Sequence, residues 1–468
     1  MVETAAPPDT GWRGLTSSVR GRLFRPGEAG YRAHTRLFNR RYDGRRSPLA
    51  VLVAADPADV QRGVLWAREH DVPVVARSAG HSFAGYSVND GLVIDLNRLS
   101  LATADEASGL VTIGGGARVG HMYDAVRPYE MTFSAGTNPI VGIAGLALGG
   151  GCEFASRQFG LTTDAMVATT VVTADGHVVT CNADDHPDLF WACRGGGGGN
   201  FGINVSFTFQ ASPVPDVATF DLTWRRADAA RVLETMQHIV AQAPDAFSAR
   251  VGVSTAGRSA AAARDNVLVT AVGQLFGPAT ELRTILDPLL TIAQPVREEI
   301  VDRTFWEAKG TLVHATEADD FAMRTSYLGG PMSGEGIETI LSWVDQWPGS
   351  SSGDGGGIGL FSWGGAINRV PADATAFLHR DTLFLLSMDT AWTRDDPAEL
   401  VSANLRWLNG MYEAMRPYVS SSSYQNFVDP ALADWPQAYY GANYPRLVEV
   451  KRRYDPDDVF HFDQSIRR

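Results

Sequence analysis

Three cysteines in 468 residues are too few for a disulfide framework. None forms a C-x-x-C pair, so neither a cross-linked secreted scaffold nor a structural zinc site fits, and a reducing compartment does. No stretch reaches eighteen consecutive apolar residues, which argues against a membrane-spanning helix. The opening MVETAAPPDTGWRGL has no basic start and no apolar core, so no secretory signal is expected. Basic residues are outnumbered, 40 against 53, for a formal charge of −13. With no stripe of Lys and Arg to neutralise phosphates, a nucleic-acid surface is not expected either. G-x-x-x-x-G-K-[ST] is missing, which removes a Walker-type nucleotide site. GGGARVG at 114–120 lacks the G-x-G-x-x-G spacing of a nicotinamide-binding unit. No internal repeat is present. What these absences leave is a cytoplasmic, enzyme-sized globular chain, 44% hydrophobic.

The pattern that is present divides the chain in three. Over 56–76, Asp56 is placed to cap a helix with Pro57 in its first turn, and Val72–Ala76 follows as a buried strand. Strands are expected at Leu92–Leu96, Leu110–Ile113 and Ile203–Phe209, with a helix near Val119–Val126 and a β-hairpin over 166–181. Near 213–216 the texture changes. Residues 217–415 alternate strands (Ala249–Ser254, Val267–Gln274, Thr382–Ala391) with amphipathic helices (Ala229–Ala243, Thr280–Ile292, Glu335–Gln346, Pro397–Met415). This pattern predicts an α+β protein. A first domain spans 1–215, with its body at about 44–214. A second, 216–419, carries an antiparallel sheet backed by helices. The segment 420–468 has no core of its own and returns to the first domain.

Glycine clusters at 80–85, 114–120, 142–151 and 195–202. Bare backbone lets N–H groups approach a ligand, so several such loops in one domain suggest a large anionic cofactor, although each alone reads equally as a tight turn. One loop is RSAGHSFAGYS, 77–87, with His81 among small residues. Gly80–Ala84 nearly matches the G-x-S-x-G nucleophile elbow, so a serine hydrolase using Ser82 stands as the rival reading. An elbow must run straight into a helix, and here GYSVNDGLVIDL follows. Cys181 and Cys193 read as small buried hydrophobes. Cys152, closing GLALGGGC with little apolar surface around it, reads as a thiol beside a ligand.

RSAGHS after a strand, then VGIAGLALGGGC, then FGLTTD, together resemble the FAD-linked oxidases of the vanillyl-alcohol-oxidase fold, with its two-lobed PCMH-type FAD-binding domain. YYGANYPRLVEVKRRYDPDDVFHFDQSI, 439–466, is similar to the tail of the berberine-bridge-enzyme branch. The resemblance implies a bicovalent flavin, with His81 on the 8α-methyl carbon and Cys152 on carbon 6. It further implies that Arg77, Ser78, Ala79, Gly80 and Ser82 wrap the pyrophosphate, and that Val141, Gly142, Gly145, Gly149 and Gly150 run along the cofactor. Asn200, Gly202, Ile203 and Asn443 would complete the pocket. The implied reaction is hydride transfer from a bulky small molecule, a secondary metabolite or glycoside, to flavin N5, with O2 as acceptor and H2O2 as product. Small Ala155 and Gly160 would leave room for oxygen.

The resemblance also implies a catalytic tyrosine before the tail and a supporting acid in a substrate-domain strand. SSSYQNFVDP and GLFSWGGAIN place Phe427 and Phe361 there. Phenylalanine takes no proton. Tyr424, Tyr440, Tyr327 and His314 remain as candidate bases. The alternative is an oxidative cyclase or dehydrogenase that needs none, with Phe361, Phe427 and Trp363 facing an aromatic substrate.

Overall fold

A computed structural model describes residues 9–313 and 319–468; His314 lies outside them. The chain is α+β, as expected. Its first sheet grows from Ala50–Val53, the helix Pro57–Glu69 and Val74–Arg77. Asp56 caps that helix by accepting the Asp59 N–H, and Pro57 fills a first-turn position where no N–H is needed. The crossover leaves Ala50–Val53 and Val74–Arg77 parallel on either side of Leu92–Asp95, with Arg22–Phe24 antiparallel at the edge. Ala50–Val53 and Leu92–Asp95 are buried throughout, as parallel strands covered on both faces must be.

A second, antiparallel sheet takes Ala102–Ala104, Leu110–Gly114, Ile203–Gln210, Met166–Val172 and Val178–Cys181 in that order. The hairpin over 166–181 forms, with Thr169 opposite Cys181. The glycines at 114–116 serve packing rather than a ligand. A Cβ on Gly116 would stand 1.6 Å from the Leu96 carbonyl oxygen, and one on Gly114 2.0 Å from that of Leu99.

The third sheet has seven antiparallel strands, ordered Arg297–Arg303, Val217–Arg225, Leu268–Leu275, Phe247–Thr255, Gly356–Ser362, Phe384–Trp392 and Asp320–Leu328. Four helices, Ala229–Gln242, Ala279–Ile292, Gly334–Val344 and Ala398–Met415, bury Met236, Leu286, Ile340 and Met411 against one face. The helix periodicity located all four within two residues. The strand Gly356–Ser362 went unforeseen because its glycines hide it. Period-two alternation turns Leu386 and Met388 toward the helices, while Leu385, Phe361 and Tyr327 belong to an aromatic cluster on the other face.

The C-terminal segment packs Trp435, Tyr439, Tyr440, Leu447 and Ile466 into the core of the five-stranded sheet. Lys451, fully buried, donates to the Asn200 and Phe460 carbonyls and pairs with Asp455. Arg157 ties the sheets together, donating to the carbonyls of Phe247, Ala243 and Trp363.

Candidate cofactor and substrate site

The loop leaving Val74–Arg77 opens a cavity of about 280 Å³. Its walls are Ser78–Phe83, Val141, Gly142, Gly145, Gly197–Gly199, Gly202 and the C-terminal Gln425–Val428. Ser78 Oγ, His81 Nε2, Tyr86 Oη, Ser87 Oγ and Gln425 Oε1 are buried there with no protein partner. Buried polar atoms are normally answered, so five unanswered ones on one wall mark a place for a polar ligand. The glycines agree. A Cβ on Gly145 would meet nothing within 4 Å, and one on Gly198 or Gly199 nothing closer than 3.7 Å. Bare backbone thus faces open space, as a long phosphate-bearing group such as FAD requires.

His81 stacks on Phe38 with centroids 3.6 Å apart. Burial lowers its pKa to about 4, so the imidazole is neutral at neutral pH and keeps a lone pair for bonding. Cys152 packs with Tyr327, Trp363, Tyr424, Phe361 and Phe427. Burial pushes its thiol up to about 12, against a hydrogen bond from Tyr424 that favours the thiolate. Phe427 joins the two groups, since it lines the cavity with His81 and packs in the cluster that holds Cys152.

Several expected cofactor contacts lie elsewhere. Arg77 stays beneath the loop, donating to the Arg36 carbonyl 3.6 Å from Asp95, because Gly80 leaves space for its guanidinium. A Cβ on Gly149 would stand 2.0 Å from Asn426 Oδ1, and one on Gly150 2.9 Å from Phe377, so both glycines seat other chain segments. Asn200 accepts the Ile466 N–H, Asn443 donates to the Ala372 carbonyl, and Ile203 pairs with Val172. These three brace the lobe rather than line the cavity. Ala155 is fully buried. Gly160, at φ +85°, is required by its turn against Asp164.

The candidate bases fare differently. Tyr424 is 1% exposed, and its oxygen accepts from Gly151 N (2.9 Å) and Asn426 Nδ2 (3.1 Å). Burial holds its pKa well above 10. It clamps the Cys152 loop rather than standing open to a substrate. Tyr440 donates to the Gly196 carbonyl within the lobe core. Tyr327 is buried with an unpartnered hydroxyl and stacks on His379 at 4.3 Å. Trp363, expected to face the cleft, is 1% exposed and donates to the His379 carbonyl, because the chain turns inward after Phe361. Phe361 and Phe427 do stand together, half-buried, with centroids 6.4 Å apart; Phe427 stacks on Phe83 at 5.2 Å. The hydrolase reading fails on geometry. Ser82 Oγ accepts the Tyr86 N–H, and the chain runs through turns into strand Leu92–Asp95 with no helix after the serine.

Sequence reasoning missed Arg250 and Asp389. Arg250 pairs across the sheet with Phe361 and lies over its ring at 4.9 Å. It reaches along the next strand because Gly359 is bare; a Cβ there would meet Arg250 Nε at 2.9 Å and Ser387 Oγ at 3.2 Å. Asp389 stands opposite Gly357 and Met323. Burial raises its carboxyl to about 6, with Arg250 opposing. The signal was one acid at an alternating position of the apolar strand FLLSMDTAW.

A cavity framed by bare glycines and holding five unanswered polar atoms fits an FAD-linked oxidoreductase, and the known proteins define that class. Residues 48–182 match the model of an FAD binding domain, and residues 423–467 that of berberine and berberine-like proteins. The chain is 34% identical over 429 residues to the uncharacterized FAD-linked oxidoreductase YgaK of Bacillus subtilis, covering 90% of this chain and 91% of that one. Physcomitrella patens BBE-like 1 superposes with a TM-score of 0.87 at 28% identity, covering 97% of this chain and 98% of that one. A chitooligosaccharide oxidase superposes at 0.86 with 26% identity, covering 98% and 99%. The chain therefore belongs to the berberine-bridge-enzyme-like FAD-linked oxidoreductases. Among the described residues, no helix is long and apolar enough to cross a membrane and no cluster of three His, Cys, Asp or Glu could hold a metal.

Proposed function

We propose that this enzyme carries FAD on two covalent bonds, from His81 to the 8α-methyl carbon and from Cys152 to carbon 6, and oxidises a bulky small molecule with O2 as acceptor, releasing H2O2. The observation that carries the reading is the wall around His81. A neutral imidazole with an unanswered nitrogen shares a cavity with bare glycines, and Phe427 links that wall to Cys152. When bound, the flavin supplies a two-electron acceptor. Ser78, Ala79 and the Gly197–Gly199 backbone would hold the pyrophosphate, and Tyr86, Ser87 and Gln425 would answer its remaining polar atoms. Two tethers keep a cofactor in place without a closed lid, which suits a bulky substrate. Phe83, Phe361 and Phe427 give that substrate an apolar flank. The chitooligosaccharide oxidase among the neighbours supports a glycoside as one class, and the aromatic flank supports an aryl alcohol as another. Phe361 and Phe427 favour a second reading, a flavin-dependent cyclase or dehydrogenase that needs no protein base.

Purified protein tests the first reading directly. It should be yellow, the colour should stay with the pellet after acid precipitation, and peptide mass mapping should find flavin on both His81 and Cys152. His81→Ala and Cys152→Ala should each retain one bond, and the double variant should release its flavin to the supernatant. An oxygen electrode and a peroxide assay, with coniferyl alcohol and chitobiose as probes, should register O2 uptake matched by H2O2. Colourless protein would overturn the cofactor reading; colour in the supernatant would overturn the covalent one.

A further inference from the structure

We propose that Asp389 is the proton acceptor for a substrate hydroxyl, seated between the aromatic contacts Phe361–Phe427 and Phe321–Phe83, with Arg250, whose side chain lies over Gly359 on the neighbouring strand, as its positioning partner. This rests on the oxidase reading above and narrows the substrate to an alcohol. The need comes first. Oxidising an alcohol to a carbonyl removes a proton as well as a hydride, and a neutral hydroxyl does not release that proton unaided near pH 7. Phe361 and Phe427 cannot accept it. Tyr424 and Tyr440 are engaged with the backbone, and Tyr327 is buried with its pKa held well above 10. His379 is 4% exposed and stacked behind Tyr327.

Asp389 has the required position. On the sheet face turned away from those four helices, the paired rows run Tyr327–Leu385–Phe361, Thr325–Ser387–Gly359, then Met323–Asp389–Gly357, and Phe321 follows opposite Ala391. Phe361 at one end packs on Phe427, and Phe321 at the other meets Phe83 edge-on at 4.9 Å. Phe427 and Phe83 both line the cofactor cavity. Asp389, the one half-buried residue of its strand, therefore lies between two aromatic contacts that reach that cavity, one row from where the Arg250 side chain covers Gly359.

Its electrical surroundings suit the task. The flanking strands offer it Met323 and Gly357, neither titratable. The charged groups acting on it are Arg250, which favours the carboxylate, and Asp354, which disfavours it. Burial is the largest influence and raises the carboxyl to about 6, so it is ionised at neutral pH yet more basic than an exposed aspartate. In the step itself the substrate C–H bond breaks with its electron pair leaving as hydride to the oxidised flavin. The O–H bond breaks with its proton going to Asp389, and the remaining pair closes the C=O bond.

The test uses flavin-loaded enzyme and the two alcohols named above, following anaerobic loss of the oxidised-flavin absorbance. Asp389→Asn should slow it about 10²-fold or more, and Asp389→Glu should recover to within about tenfold of wild type. The wild-type rate should fall as pH drops through about 6. Arg250→Met, which removes the charge opposing burial, should move that limb to higher pH. Independently of turnover, infrared difference spectra should show a carboxyl titrating near pH 6 that Asp389→Asn abolishes. Undiminished bleaching in Asp389→Asn, or no such titration, overturns the assignment while leaving the flavoenzyme reading intact. Wild-type bleaching by neither alcohol overturns the alcohol-oxidation reading and this inference with it.

Discussion

Tyr424 shows how far one hydroxyl can be committed before chemistry begins. It accepts two N–H groups, from Gly151 and Asn426, beside the Cys152 thiol. Tyr424→Phe leaves the buried Gly151 N–H unanswered, a loss of about 1–3 kcal/mol. We expect a lower melting temperature and a smaller fraction of Cys152-linked flavin, with the His81 bond retained, as read by peptide mass mapping. Buried histidines give a second residue-scale consequence. His379 and His81 are neutral, with burial lowering their pKa values to about 3 and about 4, below the ordinary 6.5. Their folded-state values are depressed, so the unfolded chain takes up protons first as pH falls. Stability is then full above about 6.5 and is lost as pH drops toward those values. The raised Asp389 carboxyl acts in the opposite sense between 3.8 and about 6 and offsets part of this loss. Thermal melts from pH 7 to 5 should show a decline that His379→Gln makes shallower; parallel slopes would remove His379 as its source. That His81 lines the cavity could be read ahead because an imidazole among glycines is conspicuous; its bond to flavin remains the proposal. Asp389 was overlooked because a single acid in a strand carries no motif.

At the scale of elements, glycine had several meanings that the string of letters did not separate. Gly116 presses backbone on backbone, Gly149 admits a side chain, and Gly145 faces open space. Two substitutions should separate packing from ligand binding. Gly116→Ala puts a Cβ 1.6 Å from a carbonyl oxygen, and we expect a loss of about 3 kcal/mol or more, seen as insoluble or unfolded protein by circular dichroism. Gly145→Ala meets no protein atom within 4 Å; the chain should fold normally while its flavin-to-protein absorbance ratio falls. Helices were legible from their 3.6-residue apolar rhythm, and the hairpin at 166–181 from its turn. Gly356–Ser362 was not, because glycine has poor strand propensity and its pairing depends on neighbours far along the chain.

For the whole molecule, the C-terminal segment completes the first lobe, and Lys451 is its fastening. With its ammonium fully buried and bonded to Asn200 and Phe460, Lys451→Ala strands Asp455 without its cation. That should destabilise the protein by about 3–5 kcal/mol in urea unfolding; a change below about 1 kcal/mol would show that the segment is held by its aromatic contacts instead. The fold class was legible because it rests on pattern and composition. The ties between lobes were not. Arg157 reaches Phe247 and Trp363, and Lys309 pairs with Glu153, partners separated by 90 to 206 positions that only the finished topology brings together. The seven-stranded sheet has its own longer-term consequence. One set of alternating residues is locked to four helices, whereas the other meets the smaller aromatic cluster around Tyr327 and Leu385. Substitutions at the half-buried letters of that face, such as Phe361 and Asp389, can therefore change what the sheet presents while the letters between keep its grip on the helices.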